Sequence, residues 1–501
     1  MESFEYLLQG FVTACSGWNL LYSLIGVSFG MFVGVLPGLG PTAGTALLLP
    51  LTFGMQPVSA VIMLAGIYYG AMYGGTITSV LINTPGESAS LITCLDGYPM
   101  ARQGRAGTAL GVAAIGSFIG GMIALAILIF VGPLVASQAL KFGPPEYFAL
   151  VVVGLSLLIG LMGKSLVRGM IAALFGLTLA FIGIDSVTGT MRFTFGQESL
   201  EDGLEFVSLA MGLFGLSEIF ITAEENLHTQ AQKPPKIQNM MPRPEEWSPT
   251  LKAILRGSGI GVLLGLIPGT NSVIPTILSY SIEKKVADDP SRFGKGAIEG
   301  VAGPETANNA YAGAALIPLF TLGIPSSPSV AILLGAFIMH GLTPGPTLMQ
   351  KNPEFVWGVI ASMFVGNAIL LFMNLPMANM WAQITRIPFK VLLPNILIVM
   401  ILGAYSINSS LFDVGMMLAF GILGYFMKKV EFPLGPVLLT FVLGKILETS
   451  LMKSLTIFDG NFWGFFQRPI SATLLTIAIL ILTVSSYFGW KDKGISGDSE
   501  I

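Results

Sequence analysis

Long apolar runs almost free of charge recur throughout this chain: Gly107–Val131, Val151–Met162, Leu166–Ile184, Val356–Leu375, Leu411–Met427 and Ile470–Tyr487. About 20 such residues cross the hydrocarbon core of a bilayer as helix. In lipid only helices and closed barrels satisfy every backbone polar group. A barrel would show segments of roughly 10 residues alternating polar and apolar, and these runs do not alternate. The expected fold is therefore an all-α integral membrane protein, multi-pass in its lipid bilayer. With 53% hydrophobic and 11% charged residues the chain lies far from soluble domains, where about 25% are charged. Hydropathy counts about a dozen transmembrane helices.

Several function classes drop out. The net charge of −3 is scattered, so there is no basic face for a nucleic-acid partner. Cys15 and Cys94 lack CxxC spacing and supply neither a metal site nor a disulfide. Met1–Gly17 carries Glu2 and Glu5 without Lys or Arg, unlike a cleaved signal peptide, so the first span is expected to be retained. No HExxH, GxSxG or Walker signature is present, and no enzyme cofactor is expected.

Apolar character breaks at Ala223–Pro249, a polar, proline-rich stretch that reads as a linker. It separates a first membrane half, residues 1–222, from a second, 251–501, with 223–250 between them. Lys233, Lys236, Arg243, Lys252 and Arg256 make it the most basic connector, and Lys491 and Lys493 follow in the tail. The positive-inside rule puts these segments in the cytoplasm. The charges themselves read as solvated faces that set topology.

The halves echo one another. Gly34-Val-Leu-Pro37-Gly38 is answered by Gly265-Leu-Ile-Pro268-Gly269. Behind them, at similar distances, lie Thr84-Pro85-Gly86-Glu87-Ser88 and Ile324-Pro325-Ser326-Ser327-Pro328. Each leads toward a Gly-Pro turn, Asp96-Gly97-Tyr98-Pro99 or His340-Gly341-Leu342-Thr343-Pro344. Paired Gly/Pro-interrupted segments in matching positions point to a carrier built from repeats, with its site at their interface. Gly40–Phe53 is too short to span and suggests a re-entrant hairpin, the alternative being a spanning helix kinked at Pro50. Tyr68–Ser79 is rich in small and hydroxyl residues, as close helix packing requires.

The candidate site lies at the breaks. Asn83, Thr84, Gly86, Ser88 and Ser90 crowd the first, and Ser326, Ser327 and Ser329 the second. Orphan N–H groups at a new helix start attract anions, and hydroxyls orient them. Two such ends suit a small carboxylate with two or three charges. Glu87 has two readings, a coupling carboxylate or a helix cap. Gly300-Val-Ala-Gly303-Pro304-Glu305-Thr306-Ala307-Asn308-Asn309-Ala310 is the most distinctive stretch. A buried, unpaired carboxylate is costly, so Glu305, with Thr306, Asn308 and Asn309, is the candidate cation or coupling group. A polar helix–helix contact is the alternative for the two asparagines. His228 belongs to the linker, His340 reads as a structural donor, and Lys164, Arg168 and Asp185 suit helix ends. Two rival functions remain open: an intramembrane enzyme using Glu305 or Asp185, and a passive organic-anion channel.

The motifs PGLGPTAG, YYGAMYGG, NTPGESAS, DGYPMA, FGKGAIEGVAGPETANNA and TLGIPSSPS give the chain a specific resemblance to the large membrane subunit of the bacterial tripartite tricarboxylate transporters. The resemblance covers nearly the whole length and is weakest in the linker and after Pro346. It implies cation-driven uptake, a symport across the cell inner membrane coupled to sodium ions or protons. It also implies two partners, a small four-helix membrane subunit and a periplasmic solute-binding protein that delivers the substrate. Such systems take citrate, other carboxylates such as tartrate, or aromatic acids, and the related fold implies an elevator motion.

Overall fold

A computed structural model describes residues 2–161, 165–185, 188–226, 237–387 and 389–497. Met162, Lys164, His228, Gln232, Lys233 and Lys236 lie outside the described residues. Among those described, helix dominates, and a single two-stranded hairpin pairs Gly183–Ile184 with Met191–Arg192. Among the described residues, nine helices are long and apolar enough to cross a membrane, with three shorter apolar helices beside them, against the dozen or so transmembrane helices expected.

The chain begins with a helix at Glu2–Ala14, followed by the first of two matching series. Gly17–Val35 ends at the first Pro-Gly turn, where Gly38 takes φ +87°. A short arm, Gly40–Leu48 continued by Leu49–Thr52, turns into the long helix Pro57–Ile82. That helix breaks at Asn83, and the chain resumes through Ser88–Ser90 into Leu91–Arg102 and then Ala106–Ala139. The second series runs Trp247–Gly265, Pro-Gly turn with Gly269 at φ +80°, Val273–Val286, Glu299–Ala314 with Leu316–Leu322, break, Pro328–Met339, then Pro353–Asn374. The short arm Gly40–Thr52 is about 20 Å long at 1.5 Å per residue, shorter than the hydrocarbon core. It folds back beside Val33, which a Cβ on Gly44 would meet at 2.8 Å.

The breaks correspond residue for residue. Asn83 (φ 55°, ψ 31°) and Gly323 (φ 71°, ψ 23°) both end their helix in the left-handed conformation. Four residues on, Glu87 (φ −139°, ψ 163°) and Ser327 (φ −148°, ψ 166°) are extended N-caps. The same spacing governs packing. A Cβ on Gly26, Gly30 or Gly34 would lie 2.3, 2.4 and 2.4 Å from the carbonyl oxygens of Met63, Ile67 and Ala71. A Cβ on Gly257, Gly261 or Gly265 would lie 2.4, 2.4 and 2.8 Å from those of Gly303, Ala307 and Tyr311. Glycine at every fourth position lets the two backbones touch, as small-residue stripes do in membranes.

These contacts also give directions. Numbers rise together between Gly17–Val35 and Pro57–Ile82, and between Trp247–Gly265 and Glu299–Ala314, so each pair is parallel. Pro353–Asn374 runs parallel to Pro57–Ile82, since Gly358 meets Val58 and Asn367 bonds Tyr73. Ala106–Ala139 likewise follows Glu299–Ala314 from Gly116–Thr306 to Ala124–Gly313. Between the two groups the order reverses: Thr76 bonds Glu305 whereas Tyr69 lies beside Gly313. The repeats are therefore inverted and interleaved, each lending its last helix to the other.

Outside this core, Pro144–Leu161 packs on Leu434–Ile457 and Pro469–Gly497, and Leu166–Ala180 packs on Leu434–Ile457. Phe206–Ala210, a π-helical turn at Met211–Leu216, and Ser217–Asn226 pack on Leu411–Lys429.

Five expectations are corrected. The Leu166–Ile184 run stops being helical at Ala180, because Gly183 (φ +111°) opens the hairpin. Asp185 is thus no helix-end residue: it sits in that hairpin, accepting from Thr188 at 2.8 Å and facing Arg192 at 3.7 Å. Asp96–Pro99 is not a turn but part of Leu91–Arg102, the turn following at Gly104 (φ +80°). The linker charges are not merely solvated: Arg256 pairs with buried Glu283, and Arg105 with Glu246 at 2.5 Å. His340 caps a helix through its backbone, but its Nε2 makes no hydrogen bond among the described residues, so it is not the donor expected.

Candidate functional site

Both breaks, the first Pro-Gly turn and the residues that follow the second border one cavity of about 520 Å³. The core contributes Gly38–Ala43, Pro85, Glu87–Ala89, Asn271–Val273, Tyr311 and Ser327–Ser329. Phe214, Glu218, Lys428 and Phe432–Gly435 close it from the outer helices. The N-terminal ends of Gly40–Leu48, Val273–Val286, Pro328–Met339 and Leu434–Ile457 thus reach its wall together, with the Ser88–Ser90 turn as a fifth start. Orphan N–H groups and the positive ends of the helix dipoles favour an anion there. Some of those donors are already met: Asn271 Oδ1 accepts from Val273 N at 3.1 Å, and Ser327 Oγ from Val330 N at 3.3 Å.

The sequence candidates divide around this cavity. Ser88, Ser327 and Ser329 line it, and Ser329 Oγ shares a 2.7 Å hydrogen bond with Thr42 Oγ1 of the opposite repeat. Ser326 does not line it, because its hydroxyl turns inward to the Ala315 carbonyl at 2.9 Å. Ser90 is spent on the cap, donating to Glu87 O at 2.9 Å and accepting from Glu87 N at 3.4 Å. Asn83 and Thr84 are exposed at the break but off the cavity, and Thr84 donates to Ile82 O at 3.3 Å. Gly86 is a packing residue: a Cβ there would lie 2.0 Å from Gly34 O. Among the helix breakers, Gly38 and Pro85 border the cavity, whereas Pro37, Pro268, Gly269 and Pro325 shape the turns behind it.

Next to the cavity lies a buried polar layer. Glu305 accepts from Thr76 Oγ1 at 2.6 Å and from Thr93 Oγ1. Asn308 Nδ2 donates to Glu87 Oε1 at 2.7 Å. Glu87 is therefore both an N-cap by position and the partner of the opposite repeat. Asn309 Nδ2 donates to Ser117 Oγ at 2.7 Å. Thr306 bonds Ala302 O at 2.7 Å within its own helix and packs against Gly116 and Gly120. The Oδ1 atoms of Asn308 and Asn309 are buried without a hydrogen-bond partner among the described residues. Glu87, Glu305, Asn308 and Asn309 are thus the buried carboxylates and amides of this layer. No group of three or more His, Cys, Asp or Glu suited to a metal occurs among the described residues.

Several residues escaped the sequence reading. Thr42, Asn271 and Tyr311 line the cavity, and Thr76, Thr93 and Ser117 complete the polar layer. Asp96 is fully buried, taking the backbone N–H groups of Gly294, Gly296 and Ala297 at 2.9, 2.7 and 2.8 Å and the Tyr280 hydroxyl at 2.9 Å. It staples the FGKGA loop to the first repeat, which accounts for two of the distinctive motifs. Only the pairing of Asp-Gly with a distant Gly-Lys-Gly loop hinted at this.

Comparison with known proteins agrees. Over 488 residues, 97% of this chain and 96% of the relative, it is 45% identical to an uncharacterized 52.8 kDa protein of the TAR-I ttuC' 3' region of Agrobacterium vitis. A second relative, an uncharacterized protein of the TAR-II ttuC' 3' region of Agrobacterium vitis, is 45% identical over 225 residues, 45% of this chain and 93% of that protein. No solved structure matches it. The family model described as the tripartite tricarboxylate transporter TctA family matches residues 20–439, so the chain belongs to that family of transporter membrane subunits.

Proposed function

We propose that this chain is the permease subunit of a cation-coupled, binding-protein-dependent importer of small carboxylates in the inner membrane. The observation that carries the reading is the cavity at which four helix N-termini and the hydroxyls of Thr42, Ser88, Ser327 and Ser329 converge from both repeats and the outer helices. Neutral donors and oriented dipoles would hold the carboxylate there. Glu305, Asn308 and Asn309, with Glu87, would hold the coupling sodium ion or respond to the proton. Residues 1–222 and 251–501 would each carry one repeat and its outer helices, joined by the linker 223–250. The inverted core would move against the outer helices as an elevator, with a small four-helix subunit and a periplasmic binding protein as partners.

Proteoliposomes containing both membrane subunits and purified binding protein test this, under a sodium or a proton gradient applied in turn. Accumulation of citrate or another carboxylate against its own gradient is expected with one of the two ions. Equilibration without accumulation would favour a channel, and full uptake without the binding protein would remove the tripartite scheme.

A further inference from the structure

The cavity wall carries three ionisable carboxyl or amino side chains among its described residues: Glu87, Glu218 and Lys428. Glu87 is held by Asn308. Lys428, in the last turn of Leu411–Lys429, donates to Glu218 Oε2 on the neighbouring outer helix. Glu218 in turn backs onto the first Pro-Gly turn, since a Cβ on Gly38 would lie 3.2 Å from its Oε1. The two outer helices do not depend on this pair: Lys429 binds Glu224 at 2.6 Å and Tyr425 donates to Glu224 at 2.9 Å. Lys428 is thus a cation placed at a cavity of helix N-termini, with a glutamate as its partner.

We propose that Lys428 is the counter-ion of the transported carboxylate, which replaces Glu218 as the ammonium's partner when it binds. The inference rests on the carboxylate reading above. Helix ends and hydroxyls of the core would hold one carboxylate group, and the Lys428 ammonium offers a second one a charge-assisted hydrogen bond, stronger than a neutral donor gives. A substrate with two or three carboxylates therefore bridges core and outer helices, while a monocarboxylate engages the core alone. Lys428 sets how many carboxylate groups the site selects.

Calorimetric titration of the full chain in nanodiscs with citrate, succinate and propionate tests this. Lys428→Gln should weaken citrate and succinate on the order of ten- to a hundredfold, the value of one charge-assisted hydrogen bond, and leave propionate nearly unchanged. Lys428→Arg should restore most of the loss. Glu218→Gln removes the competing charge and should tighten citrate. Citrate binding by Lys428→Gln at wild-type strength, or equal weakening of all three acids, overturns the proposal. So does Glu218→Gln weakening citrate as Lys428→Gln does, which marks a purely structural pair. Should Lys428→Gln fail to fold, the arginine and Glu218→Gln arms decide. Wild-type protein that binds none of the three acids would instead sink the carboxylate reading itself.

Discussion

The side-chain amide of Asn308 donates to the Glu87 carboxylate at 2.7 Å, tying the break of the first repeat to the broken helix of the second. Both residues are buried. Removing the donor leaves a buried acceptor unmet, at a cost of about 1–3 kcal/mol. Asn308→Ala is therefore expected to lower thermal stability in detergent by that amount. Glu87→Gln keeps an acceptor for the same amide and should cost less. Equal stability of Asn308→Ala and wild type would mean that the bond does not hold the repeats together.

Glu305 receives a hydroxyl on each oxygen, from Thr76 and Thr93. A glutamine fits the same pocket, because threonine hydroxyls both donate and accept. Glu305→Gln should fold and bind substrate while losing cation dependence, read as uptake that no longer responds to an imposed ion gradient. Unaltered ion dependence would leave Glu305 as a polar helix contact.

Neighbouring serines separate binding from structure. Ser88→Ala and Ser327→Ala face the cavity and should each weaken substrate binding by roughly 0.5–3 kcal/mol. Ser327→Ala also removes an N-cap acceptor, costing about 1 kcal/mol of stability. Ser326→Ala loses a bond to the Ala315 carbonyl, so it should lower stability with substrate affinity intact. Titration alongside thermal unfolding distinguishes the two classes, and reduced affinity in Ser326→Ala alone would displace the site.

The bilayer fold was legible because hydrophobic runs of spanning length obey a local rule. Both breaks were legible too, since Asn83-Thr84-Pro85-Gly86 and Gly323-Ile324-Pro325 interrupt apolar helices with residues that suit a left-handed end and an extended restart. The inversion was not, because direction emerges only from contacts such as Thr76–Glu305 and Tyr69–Gly313. Nor could serine spacing tell Ser327 from Ser326, since adjacent residues at an extended N-cap face opposite ways. Glu218 and Lys428 lie 210 residues apart, and each looks alone like an ordinary helix-end charge.

Gly34 and Gly265 occupy matching places, and a Cβ would meet a backbone oxygen at 2.4 Å in one and 2.8 Å in the other. Gly34→Ala and Gly265→Ala should each destabilise by about 1–3 kcal/mol through overpacking. Gly259, on the same helix as Gly265, has nothing within 4 Å of its Cβ position. Gly259→Ala should be neutral or stabilising by up to about 1 kcal/mol, from helix propensity alone. Three equal effects in thermal unfolding would contradict the close backbone contact.

The inverted core also sorts the loops onto two faces, and their charges predict orientation. Gln103 bonds the Lys295 carbonyl, Arg105 pairs with Glu246, and Arg256 with Glu283, so the 102–105, 243–256 and 283–299 segments share one face. It gathers Arg102, Arg105, Arg243, Lys252, Arg256, Lys284, Lys285, Arg292 and Lys295. On the opposite face, Thr13, Gln56 and Lys351–Glu354 meet around another cavity, where Lys351 is the single lysine or arginine among the described lining residues. The positive-inside rule predicts that the basic face lies in the cytoplasm. The exposed residues Ser291 and Gln56 report the two faces. In a Cys15→Ser background, since Cys15 is exposed, Ser291→Cys should resist a membrane-impermeant thiol reagent in intact cells and react after permeabilisation. Gln56→Cys should react without permeabilisation, and Gln232→Cys in the linker should behave as Ser291→Cys does. The reverse pattern would turn the protein over in the membrane, and with it the side from which a binding protein reaches the cavity.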